Sequence, residues 1–326
     1  MKHFNVILLL CTLFFALGCE ETSGIRTIRL AHGLDINHSV HRAMVKMGKD
    51  LDSVSSGRLR IEIYPNQQLG TEREILELIQ LGSLDMTKVS VATLENFAPK
   101  TRILGLPYLF ESREHAFEVL DGPIGQTLLD NAEQFRLKGL GYYDAGFRSF
   151  YTEKEAVTAP EDLKGLKIRV MESITAMDMV KSLGGSPTPI SWGELYTSLQ
   201  QGVVDGAENN LPSFYLSKHY EVCPYYSLDE HTFSPDVLIV GTQFWDVLSE
   251  QEKGWLDKAV KKSLEHQRKL WAESEAEALE KIKEAGVEIS YPDKKPFIEM
   301  TTEMYRAYEE DKELNNMIEQ IKSLAN

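Results

Sequence analysis

The spacing of apolar residues alternates between two patterns along the first part of the chain. Residues 25–30 and 59–64 alternate polar and apolar side chains, which predicts two β-strands. Between them, residues 40–54 carry apolar side chains at intervals of three and four, which predicts a helix with one buried face. A capping box at residues 71–74 predicts the start of the next helix. This order of strands and helices predicts an α/β domain built from βα units.

A short pattern occurs twice in the chain, at residues 79–85 and 199–205. In both, a helix-like stretch stops at a glycine and is followed by hydrophobic residues and an aspartate. The similarity has two explanations: equivalent positions in two similar domains, or a helix-stop motif that is common in proteins. The first explanation predicts that residues 88–90 and 208–210 face each other across a cleft.

The length of the chain, 326 residues, predicts two domains, since ~100–200 residues per domain is typical. A short strand at residues 140–144 leads directly into Arg148, and we expect the chain to pass there from one domain to the other. The predicted boundaries place the first domain at residues 25–146 plus 235–273, and the second at residues 147–234 plus 274–326.

The C-terminal part of the chain is predicted to be mainly helical. A capping box at residues 249–252 opens a stretch of about thirty residues without proline and, after Gly254, without glycine, and we expect one long helix that spans both domains. Residues 287–291 predict a last strand, and residues 296–324 predict a terminal helix.

The first residues have the features of an export signal. Lys2 supplies a positive charge, and the apolar run at residues 4–17 is shorter than the ~20 residues of a membrane-spanning helix, so residues 1–19 are predicted to be a signal peptide. The Gly18-Cys19 junction resembles a bacterial lipoprotein processing site, at which Cys19 becomes the lipidated first residue. Ala16 departs from the leucine usual at its position, and cleavage nearby by ordinary signal peptidase is the alternative.

Composition and charge exclude several classes of function. The formal net charge of −15 argues against nucleic acid and anionic membranes as partners. The chain lacks the short motifs of dinucleotide-binding, nucleotide-binding and zinc-dependent enzymes, and we expect neither a cofactor nor catalytic residues. Three histidines, His32, His38 and His41, lie close in sequence, which suggests a metal site. The alternative is that they are polar residues of a loop and of the first turn of a helix. Cys223 is interpreted as a packed residue rather than a nucleophile.

Two arginines are the candidates for binding an anion. Arg148 lies among aromatic residues at 147–151, an environment in which a charge needs a partner. Arg169 lies on the polar side of an alternating strand, and from this pattern alone a solvated side chain is the simpler interpretation. A guanidinium that faces a cleft is suited to a carboxylate, because two parallel hydrogen bonds fix its orientation.

Four segments of the chain, taken in order, resemble a known family. They are residues 66–72, 106–110, 162–170 and 202–210. The sequence resembles the solute-binding proteins of TRAP (tripartite ATP-independent periplasmic) transporters, of the dicarboxylate-binding type, over residues 25–308. The resemblance implies an α/β periplasmic binding protein of two domains, joined by crossing strands and closing on the ligand like a hinged trap, with a long helix that braces both domains.

The resemblance also implies roles for individual residues. Arg169 matches the arginine that grips the substrate carboxylate, and Arg148 matches a second arginine in the cleft. Asn209 matches the asparagine that supports the ligand from the facing strand end, and Glu72 adds a contact from the first domain. For Arg169, this implied role replaces the solvated position that the alternation favours.

The segments between residues 205 and 232 look most like family members that bind hexuronates. A uronate has one carboxylate and several hydroxyl groups, and Glu208, Asn37 and His231 are the candidates for contacts with the hydroxyls. We expect a hexuronate such as glucuronate or galacturonate. Sialic acid and a four-carbon dicarboxylate are the alternatives, and a dicarboxylate would need a second cation at the far end of the site.

A location and partners follow from the same resemblance. Such proteins work in the periplasm, close on their ligand without turnover and deliver it to membrane permease subunits that an ion gradient powers. A secreted sugar-acid lyase is the alternative from another class, with Arg169 neutralising the carboxylate and Glu208 or His231 acting as the base. Incubation with the ligand and a search for a new product separates the two.

Overall fold

The structure is a computed structural model that describes residues 24–325. The predicted signal peptide at residues 1–19 lies outside the described residues, as does Cys19, and both stay predictions. None of the described helices combines the length and the apolar character that crossing a membrane requires.

The described strands have the following bounds in chain order. They are β1 (Arg26–Ala31), β2 (Leu59–Tyr64), β3 (Met86–Ser90), β4 (Leu137–Tyr143), β5 (Phe147–Thr152), β6 (Lys167–Val170), β7 (Ser186–Pro189), β8 (Gly206–Asn209), β9 (Tyr225–Phe233), β10 (Asp236–Gly241) and β11 (Glu288–Ser290).

The α-helices lie between and after these strands. They are α1 (Ser39–Val54), α2 (Glu72–Gln80), α3 (Val91–Leu94), α4 (Arg113–Leu120), α5 (Pro123–Asn131), α6 (Ile174–Ser182), α7 (Trp192–Gln200), α8 (Leu211–Leu216), α9 (Thr242–Asp246), α10 (Glu250–Glu284), α11 (Lys295–Thr301), α12 (Glu303–Arg306) and α13 (Lys312–Leu324).

The strands form two sheets whose topologies correspond. The first sheet has the order β2-β1-β3-β10-β4, and the second has the order β11-β9-β5-β8-β6-β7. In the first sheet β1 pairs in parallel with β2 and β3, and β10 runs antiparallel to β3. In the second, β6 pairs in parallel with β7 and β8, and β5 runs antiparallel to β8. Each half therefore contains the same arrangement of four strands.

The repeated sequence pattern occupies equivalent positions in the two sheets. Asp85 lies just before β3, and its Oδ2 accepts a hydrogen bond of 2.8 Å from the backbone N–H of Arg29 in β1. Asp205 lies just before β8, and its Oδ2 accepts a hydrogen bond of 2.8 Å from the backbone N–H of Lys167 in β6. The explanation of the pattern as equivalent positions in two similar units is confirmed.

Helices cover both faces of each sheet, which is why the central strands are buried. On one face of the first sheet, residues such as Ile239 pack against helices that include α2, α4 and α5; on the other face, α1 and the first half of α10 pack against residues such as Leu238. The second sheet packs against α7 and α8 on one face and against α6 and α11 on the other.

The long helix predicted from residue 249 onwards is confirmed as α10, with 35 residues. Ser249 and Glu252 form its capping box, in which each side chain bonds the backbone N–H of the other. Leu256 belongs to a core cluster of the first sheet, and Ile282 belongs to a core cluster of the second. Because its two ends pack in different cores, the helix braces both halves of the molecule.

The C-terminal segment differs from the prediction in two respects. Residues 296–324 form α11, α12 and α13 rather than one helix, because Asp311 caps a new start by accepting hydrogen bonds from the N–H groups of Glu313 and Leu314. Helix α13 also packs into the core of the first sheet through Leu314 and Ile318, whereas the predicted boundaries place residues 274–326 entirely in the second domain. The other predicted domain boundaries remain a prediction.

Candidate functional site

A cavity lies between the two sheets, where the ends of β3 and β10 approach those of β5, β6 and β8. It encloses about 790 Å³ of empty space, part of it open to solvent. From the first half it is lined by side chains that include Glu72, Lys88 and Asp236. From the second half it is lined by Arg148, Arg169, Trp192 and Asn209, among others.

Arg169 carries a buried charge that has no counter-charge in direct contact among the residues that the structure describes. Its side chain is buried, with a relative exposure of 2%. Its Nε donates a hydrogen bond of 2.8 Å to the carbonyl of Ile190, which fixes one edge of the guanidinium. Its Nη1 is buried without a hydrogen-bond partner among residues 24–325. Burial lowers the pKa of Arg169 below its ordinary value, so the surrounding protein does not fully compensate the cation.

Arg148 is equally buried, but it is bound on several sides by neighbouring groups. Its Nε and Nη2 donate to the two carboxylate oxygens of Glu208, and Nη1 donates to Oδ1 of Asn209 at 2.9 Å. Burial acts against the charge of Arg148, but the Glu208 carboxylate outweighs it and raises the pKa of the guanidinium. The two arginines therefore differ: one is paired within the protein, and the other is held at one edge only.

Glu208 and His231 form a charged network behind Arg148. His231 Nδ1 lies 2.7 Å from Asp229 Oδ2, and its Nε2 lies 3.5 Å from Glu208 Oε2. Burial acts to lower the pKa of His231, but Asp229 and Glu208 raise it to about 9. Burial acts to raise the pKa of Glu208, but Arg148 and His231 lower it to about 2. At neutral pH Glu208 is therefore negative and His231 positive. Together with Arg148 and Asp229 they form a network in which positive and negative charges are equal in number.

On the opposite wall, Lys88 lies between two carboxylates. Its Nζ is 3.2 Å from Glu72 Oε1 and 3.0 Å from Asp236 Oδ2. The second carboxylate oxygen of Glu72 accepts a hydrogen bond of 3.0 Å from the Thr93 hydroxyl. Burial acts to lower the pKa of Lys88, and the two carboxylates reverse that effect and raise it. Lys88 is thus a fully ionised group whose charge is already more than neutralised.

Direct contacts join the two walls beside the cavity. Glu95, which follows α3, accepts hydrogen bonds from the Ser173 hydroxyl (2.8 Å), the Thr175 N–H (3.0 Å) and the Thr175 hydroxyl (2.7 Å) at the first turn of α6. Gln67 approaches the first turn of α7 closely enough that a Cβ on Gly193 would lie 2.3 Å from its Oε1. These contacts belong to an arrangement in which the two halves are closed over the cavity.

A family comparison decides what kind of protein has this cleft. The model of the DctP family, described as bacterial extracellular solute-binding protein, family 7, matches residues 30–311. The chain belongs to this family of TRAP solute-binding proteins.

Individual relatives agree over nearly the full length. A TRAP periplasmic solute-binding protein of Bradyrhizobium, in complex with α/β-D-galacturonate, is 39% identical with a TM-score of 0.89, covering 91% of this chain and 100% of that chain. One of Anaerococcus prevotii, with bound α/β-D-glucuronate, is 36% identical with a TM-score of 0.89, covering 91% and 97%. The uncharacterized protein YiiZ of Salmonella typhimurium is 36% identical over 305 residues, 93% of each chain.

The expected fold and the expected class of function are thereby confirmed. This TRAP solute-binding protein belongs to a family that transports solutes and works in the periplasm. Its relatives with known structures have the same two-part α/β architecture around a cleft. Of the residues predicted for the ligand, Arg148, Arg169, Asn209 and Glu72 line the cavity.

Three of the predicted contact residues lie elsewhere in this TRAP protein. Asn37 is exposed, and its amide donates to Asp35 Oδ1 at 2.9 Å within a turn. Glu208 and His231 are buried behind Arg148 and are occupied by it and by Asp229. Glu208 and His231 thus have protein partners and Asn37 faces solvent, and the contacts of these three with ligand hydroxyls stay predictions.

Two other features of the sequence have a structural explanation. His38 caps the first turn of α1, and His32 Nε2 lies 2.9 Å from His41 Nδ1, so these histidines bond within the protein. Among the described residues, no cluster of three or more possible metal ligands is present. Burial raises the pKa of the Cys223 thiol to about 12, as expected for a packed cysteine.

Lys88 and Asp236 were not among the residues predicted to contact the ligand, and the structure brings both to the cavity. Asp236 is opposite Ser90 in the antiparallel pairing of β10 with β3, and Lys88 is two residues from Ser90 on the same face. The repeated pattern ending at Asp85 and Asp205 indicated the position of Lys88. Asp236 is a charged residue at the start of an otherwise apolar strand, and this position could have indicated a role in the site.

Proposed function

We propose that this protein captures a hexuronate, such as glucuronate or galacturonate, and delivers it to the membrane permease subunits of a TRAP transporter. The observation that supports this most directly is the buried Nη1 of Arg169, which has no partner among the described residues. A buried guanidinium without a counter-charge is unfavourable, and a carboxylate at this position satisfies both its charge and its open hydrogen-bonding edge.

Further groups around Arg169 support a carboxylate as the bound group. The centroid of the Trp192 ring lies 6.0 Å from the guanidinium carbon, at the outer limit of a cation–π contact. Asn209 presents its amide to the cavity from the neighbouring strand β8, with its Oδ1 already engaged by Arg148. The remaining amide N–H groups of Asn209 are suited to donate to the same carboxylate.

The rest of the cavity is suited to a sugar. Trp192 and Trp271 supply apolar surface for the C–H faces of a pyranose ring, and Glu72, Gln67 and Asn210 supply polar groups for hydroxyls. The relatives crystallised with glucuronate and galacturonate support the same ligand class. Sialic acid and a four-carbon dicarboxylate remain the alternatives that a binding screen has to include.

Closure follows from the distribution of these groups between the two walls. The carboxylate is held by Arg169 from the second half, and hydroxyls are held by Glu72 from the first half. A ligand that contacts both walls favours the closed arrangement over an open one, because only the closed arrangement makes both sets of contacts. The closed protein is then the form that the permease subunits bind.

A thermal-unfolding screen tests the proposal. The chain truncated after Cys19 is mixed with uronates, aldonates, sialic acid and dicarboxylates at about a hundredfold the dissociation constant, which adds about 2.7 kcal/mol of stability. In domains of this size the midpoint rises by roughly 5–10 °C. We expect this rise with a hexuronate for the wild type and not for Arg169→Ala. A rise with succinate alone, or with no carboxylate, contradicts the proposal.

Absence of turnover and attachment to the membrane belong to the same proposal. A hexuronate incubated with the protein is recovered unchanged; a new unsaturated product would favour the sugar-acid lyase.

Lipid on Cys19 retains the protein at the membrane, and a Cys19→Ser variant that still fractionates with membranes contradicts that attachment.

A further inference from the structure

The wall opposite Arg169 carries a net negative charge at a fixed position. Lys88 supplies one positive charge, and its two partners Glu72 and Asp236 supply two negative ones. The side chains of Lys88 and Asp236 are both largely buried, with 4% and 7% exposure. Charges in such an environment are poorly screened by water and salt.

Lys88 is not free to serve as a second cation for a ligand. Its ammonium group contacts a carboxylate oxygen on either side, at 3.2 and 3.0 Å. Moving it to a ligand would leave Asp236 as a buried carboxylate without its partner. Burial raises the pKa of Asp236, and the charges of Lys88 and Arg148 act to lower it, so loss of Lys88 would remove the cation in direct contact with this carboxylate.

Asp236 is also held in place by the backbone. It is the first residue of β10, paired with Ser90 of β3 on one side and with Tyr143 of β4 on the other. Its Oδ2 contacts Lys88, and its Oδ1 has no hydrogen bond among the residues that the structure describes. An oxygen of this kind at the wall of a cavity accepts a hydrogen bond from a ligand hydroxyl and repels a ligand carboxylate.

We propose that Asp236, together with the Lys88–Glu72 pair, selects ligands by charge: it accepts hydroxyl-rich monocarboxylic acids and rejects the corresponding dicarboxylic, or aldaric, acids. This inference rests on the proposed function, because it assumes that the carboxylate of the ligand lies on Arg169. A hydroxyl or hemiacetal group at the other end of the ligand donates to the Asp236 carboxylate. A second carboxylate at that end meets a wall whose net charge has the same sign.

The test compares two probes of the same carbon skeleton, D-galacturonate and galactarate, by calorimetric titration. For the wild type we expect galacturonate to bind and galactarate to bind at least about tenfold more weakly, as for buried like charges. Asp236→Asn keeps the shape of the side chain and removes one negative charge. We expect it to lower the ratio of the galactarate to the galacturonate dissociation constant by about tenfold.

Asp85→Asn is the matched control, because Asp85 is also a buried aspartate in an ion pair but lies away from the cavity, with Arg29. We expect it to leave the ratio unchanged. A wild type that prefers galactarate, or a ratio that Asp236→Asn does not alter, overturns the charge selection while the hexuronate site stands. A wild type that binds neither probe nor any other carboxylate overturns the proposed function, and the inference fails with it.

Discussion

Arg148 and Arg169 are both buried, but within residues 24–325 only Arg148 is ion-paired by direct contact. Replacing Arg148 by alanine leaves the Glu208 carboxylate buried next to His231 alone. We expect Arg148→Ala to lower the free energy of unfolding of the ligand-free protein by about 3–5 kcal/mol, as for other broken buried pairs. Denaturant unfolding without ligand measures this loss.

Arg169→Ala is expected to behave differently in the same measurement. The substitution removes a cation that burial destabilises and a single hydrogen bond to Ile190, so the loss is about 1 kcal/mol or less. Arg60→Ala, which removes an exposed pair with Asp52, serves as the control with little effect. Equal losses in the free energy of unfolding for Arg148→Ala and Arg169→Ala would contradict the expectation that the unpaired Arg169 contributes less to stability than the ion-paired Arg148.

The contrast between these arginines also marks what the sequence could reveal. Alternation along the strand placed Arg169 on a polar face with Lys167, and Lys167 is indeed exposed whereas Arg169 is buried. The difference arises because the inner end of β6 faces the cleft, which no local pattern encodes. The segments shared with the family identified Arg169 as a site residue. The position of Asp236 at the site depends on an antiparallel pairing between distant parts of the chain, which the sequence pattern does not reveal.

At the scale of elements, the contact between Glu95 and the first turn of α6 joins the two halves. The helix N-terminus favours a carboxylate, and three hydrogen bonds fix it there. We expect Glu95→Gln to weaken hexuronate binding about tenfold, because it removes a charge-assisted contact from the closed arrangement only. Titration of the ligand gives the affinity, and small-angle scattering gives the compactness of the ligand-free protein.

Glu114→Gln is the control for this change, since Glu114 is an exposed glutamate in the first turn of α4. It should leave affinity and compactness unchanged. An unchanged affinity for Glu95→Gln would mean that the contact persists in the open protein and does not favour closure.

The elements themselves were predictable where strong local signals exist. The capping boxes at Thr71 and Ser249 start α2 and α10 as predicted. At the start of α7, Ser191 and Glu194 have the spacing of a capping box, but the Ser191 side chain bonds Glu194 and makes no hydrogen bond to the backbone of the helix, so the box is incomplete. Asp311, a residue type that favours the start of a helix, indicated where the terminal helix divides. The apolar spacing on either side of it nevertheless favoured the prediction of one continuous helix.

At the scale of the whole molecule, buried histidines set the pH dependence of stability. Burial lowers the pKa of His32 to about 2 and that of His38 and His219 to about 3, from an ordinary value of 6.5. The unfolded chain takes up these protons first, so stability falls as the pH drops below about 6.5. Asp144, whose pKa burial raises to about 6, acts in the opposite direction, as do Asp236 and Asp257, whose pKa burial also raises. His41, whose pKa burial lowers, adds to the effect of the three histidines.

His231 acts on the alkaline side. Burial opposes its charge, but Asp229 and Glu208 raise its pKa to about 9, so its stabilisation is complete below about 6.5 and is lost as the pH rises through 9. We expect the unfolding midpoint of the ligand-free protein to be highest near pH 6.5. Thermal unfolding from pH 5 to 9 measures the curve, and His231→Asn should flatten its alkaline side; a wild-type midpoint that keeps rising to pH 9 contradicts the assignment.

The unpaired Nη1 of Arg169 also has a consequence for any quantitative assay. A buried cation open to a cavity attracts small anions of the buffer, such as acetate, formate or chloride, and the ligand must displace them. The apparent dissociation constant therefore increases with the concentration of the competing anion, in proportion to how well that anion fits. In acetate, the measured dissociation constant describes the exchange of acetate for the ligand. In a buffer whose anions are too bulky for the site, it approaches the intrinsic dissociation constant of the ligand.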